Sequence, residues 1–370
     1  MAVLFFAPPL RASAAGSIMS AEETMLAYTY FDKGDFRLIR KPRPSIVNDT
    51  DAIVRVTLSS ICTSDLHIMH GSVPRAVKGV TVGHEGVGEV VEVGKKVRRV
   101  RAGERVSINV ETFCGECWFC KRGYVNNCTS PDGGWAMGCR IDGMQAEYVR
   151  VPFADSGLTA IPGNVTDKQA LLVGDILATG YWATRISEIE KGDDILVIGA
   201  GPTGICCALS ALTKNPNRVF ICDIDRLRLD FVQKHYPALI PLQAADALRA
   251  VLSACPRGGA DRVIEAAGTP ESFRLAWQAA RPNAVVTVVA MYDAPQVLPL
   301  PDMYGKNLTF KTGGVDGCDA REILSLVSEG KLDVSALITH TFPLSAADEA
   351  YRLFAAKQDG VMKVALDCRA

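Results

Sequence analysis

The sequence has almost no net charge: 40 Lys and Arg stand against 41 Asp and Glu, a formal balance of −1. That excludes broad electrostatic binding to nucleic acid, because phosphate contacts need a basic surface. It also lacks any uninterrupted apolar run near the roughly 20 residues a membrane helix requires. The short apolar stretch from Val3 to Leu10 is broken by Pro8 and Pro9 and has no basic segment before it, so it does not read as a signal peptide. Internal repeats and low-complexity segments are absent, which excludes solenoids and arrays. Apolar side chains are not scarce. They make up 48% of the 370 residues, enough to exclude a disordered chain. At roughly 100–200 residues per domain, two domains are expected.

Cysteine is abundant, with twelve residues. Cys114, Cys117, Cys120 and Cys128 cluster with spacings of two, two and seven residues. Four thiolates in a short loop enclose a zinc ion tetrahedrally and leave no position open, so a metal here is structural. A nucleic-acid-binding zinc module would want a basic surround. Glu111 and Glu116 dilute Lys121 and Arg122, and the whole chain is neutral. Most of the other cysteines, such as Cys206 and Cys207, sit in apolar strings and read as small core residues of a protein in a reducing compartment, the cytoplasm.

Two rhythms divide the chain. From Met25 to about Val151 it alternates over short spans punctuated by glycine and proline, with strands expected at Ala52–Thr57, Gly88–Val93, Arg105–Ile108 and Ala146–Val151. From Asp193 onward strands and helices alternate. Strands are expected at Asp194–Ile198, Arg218–Cys222, Arg262–Glu265, Val285–Ala290 and Leu308–Thr312. Helices are expected from Gly204, over Arg226–His235 and over Pro270–Ala280. That alternation predicts an α/β domain, a parallel sheet with helices on both faces, beside a mostly β domain. The expected organisation is a loose tail over 1–24, a β domain over 25–177, the α/β domain over 178–316, and a return to the first domain over 317–370.

The segment from Asp194 to Gly204 (DILVIGAGPTG) is a strand, a glycine turn and a helix start. Gly199 allows the turn, Gly201 lets a pyrophosphate approach the backbone, and Gly204 lets helix and strand pack closely. Pro202 and Thr203 open the helix, whose free N–H groups suit phosphates. Asp223, at the end of the next strand, suits the ribose hydroxyls of NAD and repels a 2′-phosphate. Arg226 and Arg228 soften that repulsion.

Three further segments hold metal-type residues: Cys62 to His67 (CTSDLH), His84-Glu85, and Asp175 within an apolar run. A carboxylate in such a run is costly unless a cation meets it. One thiolate, one imidazole and one carboxylate leave a fourth position open, the pattern of catalytic zinc.

Taken together, CTSDLH, GHEGVGEVVEVG, the four-cysteine lobe, DGMQAEYVRVPFAD, GDILATGY and VIGAGPTG make the chain resemble a zinc-dependent alcohol dehydrogenase of the medium-chain dehydrogenase/reductase superfamily, from about Met25 to the C-terminus. The resemblance implies a GroES-like catalytic domain joined to a Rossmann domain. It implies two zinc ions per chain, a catalytic one on Cys62, His84 and Asp175 and a structural one on Cys114, Cys117, Cys120 and Cys128. It further implies Glu85 behind the metal, Ser64 on the alcohol oxygen, His67 passing a proton to solvent, and Asp65 orienting His84. Trp135 would line the substrate pocket. The cofactor would be NAD, held by Gly199, Gly201, Pro202, Thr203, Gly204, Asp223 and Arg228. The substrate would be a small alcohol or carbonyl compound, with polyol, threonine or formaldehyde dehydrogenase as the nearest alternatives and a catalytically silent nucleotide-binding regulator as the alternative outside enzymes. The family is homo-oligomeric, and a tetramer is expected over a dimer. Three departures stand out. Thr63 replaces a glycine or arginine; Asp223 and the lobe cysteines depart from the secondary-alcohol branch that CTSD resembles; and Asn283-Ala284 stands where a Gly-Gly pair is common.

Overall fold

The computed structural model describes residues 23–292 and 294–369. Most of the segment expected as a tail lies outside the described residues, and its last residue, Thr24, already begins a strand. That strand, Thr24–Asp32, pairs antiparallel with Asp35–Pro42 in a hairpin.

Six parallel strands form one sheet, in the spatial order Ile240–Gln243, Arg218–Asp223, Asp194–Ile198, Ala260–Glu265, Ala280–Val288, Thr309–Thr312. This is the 3-2-1-4-5-6 order of the Rossmann fold, whose order reverses beside the first strand. Asp194–Ile198 is buried at every position, as a central strand covered on both faces must be. The helices Pro202–Leu212, Arg226–His235, Ala244–Ala254 and Pro270–Ala279 connect the strands. Asp225 caps the helix Arg226–His235 by accepting from the Leu227 N–H at 2.9 Å.

A seven-stranded sheet forms the mostly β part. Its order is Ile338–Pro343, Lys363–Asp367, Ala52–Ile61, Gly86–Val93, Arg105–Ile108, Leu158–Ala160, with Tyr148–Val151 also paired to Ala52–Ile61. Lys363–Asp367 lies antiparallel to Ala52–Ile61, so the chain's last strand stands beside the strand that leads into Cys62. One apolar core runs from Cys62, Val87 and Leu171 through Tyr181 and Trp182 to Ile195, Val197 and Ile205, and so ties the two sheets together.

The expected strand over Val285–Ala290 differs most from what forms. The strand starts five residues earlier, at Ala280, and ends at Val288. Its pairing to the neighbouring strand breaks register between Ala260 and Arg262, and Asn283 takes φ +58°. Asparagine is among the few non-glycine residues that tolerate that region, so Asn283 meets the backbone demand a glycine would meet.

Candidate active site

Cys62 ends the strand Ala52–Ile61 and caps the helix Thr63–Met69. Asp65, three residues on, reaches back to accept from the Cys62 N–H at 2.9 Å. The same carboxylate is wholly buried and approaches His84 Nδ1 to 3.1 Å. It therefore fixes one face of the imidazole and leaves Nε2 to point elsewhere. Nε2 points at Asp175, 3.4 Å from its Oδ2, and Cys62 Sγ is 3.8 Å from the same oxygen. Asp175 sits in one turn of π-helix, Val173–Leu177, a widened turn that is common at functional sites.

The donor atoms of Cys62, His84 and Asp175 thus all lie within 4.8 Å of one another, though they come from three distant stretches. A tetrahedral zinc separates N and O donors by about 3.3 Å and S and O donors by about 3.5 Å, close to what is seen. The electrostatics point the same way. Burial alone would lower the His84 pKa, but Asp65, Asp175 and Cys62 outweigh it and raise it well above the ordinary histidine value. Burial alone would raise the Asp175 pKa, but His84 and Lys363 outweigh it and lower it. The negative charge gathered around His84 also favours a divalent cation, which binds the imidazole in its neutral form and displaces that proton.

Ser64 Oγ lies 3.8 Å from Cys62 Sγ, and His67 is half-buried on the last turn of the same helix. Trp135 stacks edge-on against His84 with ring centroids 5.3 Å apart. Glu85 is wholly buried behind the cluster, where it accepts from Ser60 Oγ and the Lys363 ammonium. Lys363, also buried, donates to the Ile61 carbonyl at 2.9 Å. Burial pushes its pKa down, but Glu85, Cys62 and Asp175 outweigh that and hold it charged. Sequence reasoning missed Lys363, because one lysine in a short strand reads as a solvent-facing residue.

In the four-cysteine lobe, Cys117 and Cys120 sulfurs are 3.4 Å apart, Cys114 and Cys128 3.6 Å, and Cys114 and Cys120 4.0 Å. Zinc–sulfur bonds of about 2.3 Å in a tetrahedron place sulfurs about 3.8 Å apart, so this group fits a zinc ion. Backbone N–H groups of Thr129 and Cys120 pull the Cys117 thiol down to about 5, and burial pushes Cys120 up to about 12. Cys139 is buried apart from the cluster.

At the end of Asp194–Ile198, Gly199 takes φ +103°, a turn that disfavours any other residue. A Cβ on Gly204 would stand 1.8 Å from the Gly199 carbonyl, so the helix approaches the strand only with glycine there. Gly201 caps the helix, Pro202 and Thr203 open it, and a Cβ on Gly201 would stand 3.5 Å from the Arg228 guanidinium. Asp223 accepts from the Ala200 N–H at 2.7 Å and the Asp225 N–H at 2.9 Å, with the Arg228 guanidinium 3.7 Å away. The crevice, its free N–H groups and its acid at the strand's end fit a dinucleotide. The π-turn carrying Asp175 packs on the helix Pro202–Leu212, which joins the crevice to the metal donors.

The comparisons agree with this geometry. The family profile of the alcohol dehydrogenase GroES-like domain matches residues 48–163. An alcohol dehydrogenase of Cupriavidus necator is 31% identical over 92% of this chain and 98% of that protein. A zinc dependent alcohol dehydrogenase 2 from Streptococcus pneumonia superposes with a TM-score of 0.86 at 32% identity, covering 93% of this chain and 98% of the other. An NADP-dependent isopropanol dehydrogenase of Entamoeba histolytica is 28% identical over 93% of this chain and 96% of that protein. With its GroES-like and Rossmann parts and two fitted zinc sites, the chain belongs to the zinc-type alcohol dehydrogenases of the medium-chain dehydrogenase/reductase superfamily.

Proposed function

We propose that this chain interconverts a small or medium alcohol and its aldehyde or ketone, using NAD, at the Cys62–His84–Asp175 centre. The observation that carries the reading is the convergence of those three donors beside the dinucleotide crevice. When bound, zinc supplies a Lewis acid that acidifies an alcohol, and the nicotinamide supplies the hydride acceptor. The protein does the positioning. Asp65 holds the His84 ring through Nδ1. Ser64 Oγ, beside Cys62, accepts the hydroxyl proton as it gives up its own, and His67, one turn further along the helix, carries a proton on to solvent. Glu85 backs the centre, held in place by Lys363 and Ser60. Trp135 covers one side and helps keep water out.

The choice of NAD rests on Asp223, whose carboxylate stands where a 2′-phosphate would come. Asp223→Ala is expected to lower the NAD-to-NADP ratio of kcat/KM by about tenfold or more, since it removes a like-charge repulsion next to Arg228. Initial rates with both coenzymes check this, and an unchanged ratio rules the argument out. An absorbance screen at the NADH band, over primary, secondary, aromatic and polyhydric alcohols, tests the activity itself.

The domain division at 25–177, 178–316 and 317–370 belongs to the same reading, supported by the return of Lys363–Asp367 to the first sheet. So does a homo-oligomer, a tetramer rather than a dimer. Thr309–Thr312 is an open sheet edge, and Val297, Leu300 and Tyr304 are exposed shortly before it. A cytoplasmic setting is supported by twelve cysteines without a disulfide. No helix among the described residues is long and apolar enough to cross a membrane.

A further inference from the structure

One buried amide bonds to the supports of two metal donors at once. Gln145 has no exposure. Its Nε2 donates to the Ser60 carbonyl at 3.2 Å, two residues before Cys62, and to Asp65 Oδ2 at 3.3 Å. Its backbone N–H donates to the Val82 carbonyl at 3.0 Å, two residues before His84. Its side chain also lies across Gly83. A Cβ there would stand 2.4 Å from Gln145 Cγ, and Gly83 takes φ +92°. Gln145 therefore holds both stretches that deliver Cys62 and His84, and neither is its neighbour in the chain.

The amide can sit in one sense only. The Ser60 carbonyl oxygen has no proton to give, and Asp65 Oδ2 already accepts from the Cys62 N–H, so both take protons from Nε2. That leaves Oε1 to accept, and the Tyr351 hydroxyl donates to it at 2.9 Å. Tyr351 lies on the helix Ala347–Ala356, its ring centroid 5.1 Å from that of Tyr28 and 5.6 Å from that of Phe36. Every polar atom of the Gln145 side chain is thus paired inside the protein, and a fully paired buried network stiffens what it touches. Here it touches the carboxylate that faces His84. Asp65 Oδ2 takes two donors, the Cys62 N–H at 2.9 Å and Gln145 Nε2, which leaves Oδ1 for His84 Nδ1 at 3.1 Å. A carboxylate torsion is broad by itself, and a second donor from a separate segment narrows it.

We propose that Gln145 is a positioning residue of the metal centre, acting through Asp65 on His84, and that Tyr351 holds its amide in place. The inference rests on the function proposed above. It concerns how firmly the imidazole is aimed. With Gln145 present, Asp65 offers one oxygen to Nδ1 at a fixed angle, and Nε2 keeps its direction toward Asp175 and Cys62. Without it, the carboxylate keeps the Cys62 N–H alone and swings more widely. Nε2 then samples directions that hold an ion less well. Groups that support a metal-bound histidine account for roughly 10–100-fold in metal affinity or activity. Gln145 stands one bond further out than Asp65, so the lower end of that range applies.

The test uses zinc-loaded wild type, Gln145→Met, Tyr351→Phe and the double variant. Methionine keeps the length of glutamine and removes its side-chain bonds. Each protein is titrated with a metal chelator while zinc release is followed, and each is exchanged with cobalt(II) for its visible spectrum. In Gln145→Met the ion at the Cys62 centre is expected to bind about tenfold more weakly, while the ion in the four-cysteine lobe binds as in wild type. The cobalt band, which reports donor geometry, is expected to shift. With both ions bound, kcat is expected to fall about tenfold and KM for the coenzyme to stay unchanged. Tyr351→Phe is expected to weaken the ion less. The double variant is expected to match Gln145→Met, because the hydroxyl acts through the amide. A glutamine that only stabilises the fold would lower Tm and leave zinc affinity, cobalt band and kcat unmoved, and that result overturns the inference. Losses that add in the double variant overturn the part assigned to Tyr351. If Gln145→Met fails to fold, Tyr351→Phe decides on the same three readouts. The dehydrogenase reading fails separately, if wild type binds zinc in the lobe alone or carries both ions and oxidises no alcohol with NAD or NADP.

Discussion

His84→Ala is expected to lower kcat/KM by roughly 10⁴-fold, the factor that corresponds to losing several kcal/mol of charge stabilisation at the reacting oxygen. It is also expected to reduce zinc content from two ions per chain to one. The two effects share a cause. His84 offers the one nitrogen donor of the centre, and without it Cys62 and Asp175 leave a two-donor set. Asp65 then faces a gap with its carboxylate still buried, so the variant loses its second-sphere support as well. The lobe of Cys114, Cys117, Cys120 and Cys128 is a separate group and keeps its ion. Metal analysis by mass spectrometry and initial rates on the same preparation check both parts. A variant that retains two ions and full turnover would show that the converging donors are structural, and the proposed function would fall with them.

What the sequence reveals here follows from the range of the interactions involved. Asp194–Ile198, Arg105–Ile108 and the helix Arg226–His235 form where the pattern of apolar residues and glycines places them, because each is set by its own neighbours in the chain. The metal ligands are legible for a different reason. Cysteine, histidine and an aspartate in an apolar run are individually improbable in those places, and the chemistry limits what joins them. The hairpin Thr24–Pro42 also carries a local signal, alternating residues around Lys33-Gly34, but the short-strand pattern of the first half does not single it out. Lys363 and Glu111 are illegible by nature. Lys363 meets Glu85 across 278 residues, and nothing near either announces the pairing. Glu111 reads as a charge that dilutes the basic character of the lobe. Only the fold shows it buried, with Oε2 unpartnered. Buried charge has no periodicity of its own. It is visible in a sequence only when its chemistry is unusual, as with Asp175.

Lys363→Met is expected to destabilise the protein by about 3–5 kcal/mol, the usual result of removing one partner of a buried ion pair. The methionine fills the space, so a cavity contributes little. The cost comes from Glu85, whose carboxylate has no exposure and would be left with Ser60 as its remaining donor. The dependence on pH follows. Burial already raises the folded-state pKa of Glu85 to about 7 against the pull of Lys363; without the ammonium it rises further above its unfolded value of about 4.3. The folded variant then binds more protons than the unfolded chain between those two values, so its stability falls as pH rises through that window. The deficit relative to wild type is therefore expected to be smaller at pH 5 than at pH 8. Adding Glu85→Gln to Lys363→Met removes the stranded charge and is expected to recover a large part of the loss. Guanidinium unfolding of wild type, single and double variants at equal zinc content and at both pH values measures all three. A single variant within about 1 kcal/mol of wild type at pH 8 would mean that water reaches Glu85 and that the pair contributes no more than a surface ion pair. A double variant as unstable as the single one would place the loss in the broken bond to the Ile61 carbonyl, which leads directly into Cys62, and would make Lys363 a support of the metal-ligand backbone rather than a counter-charge.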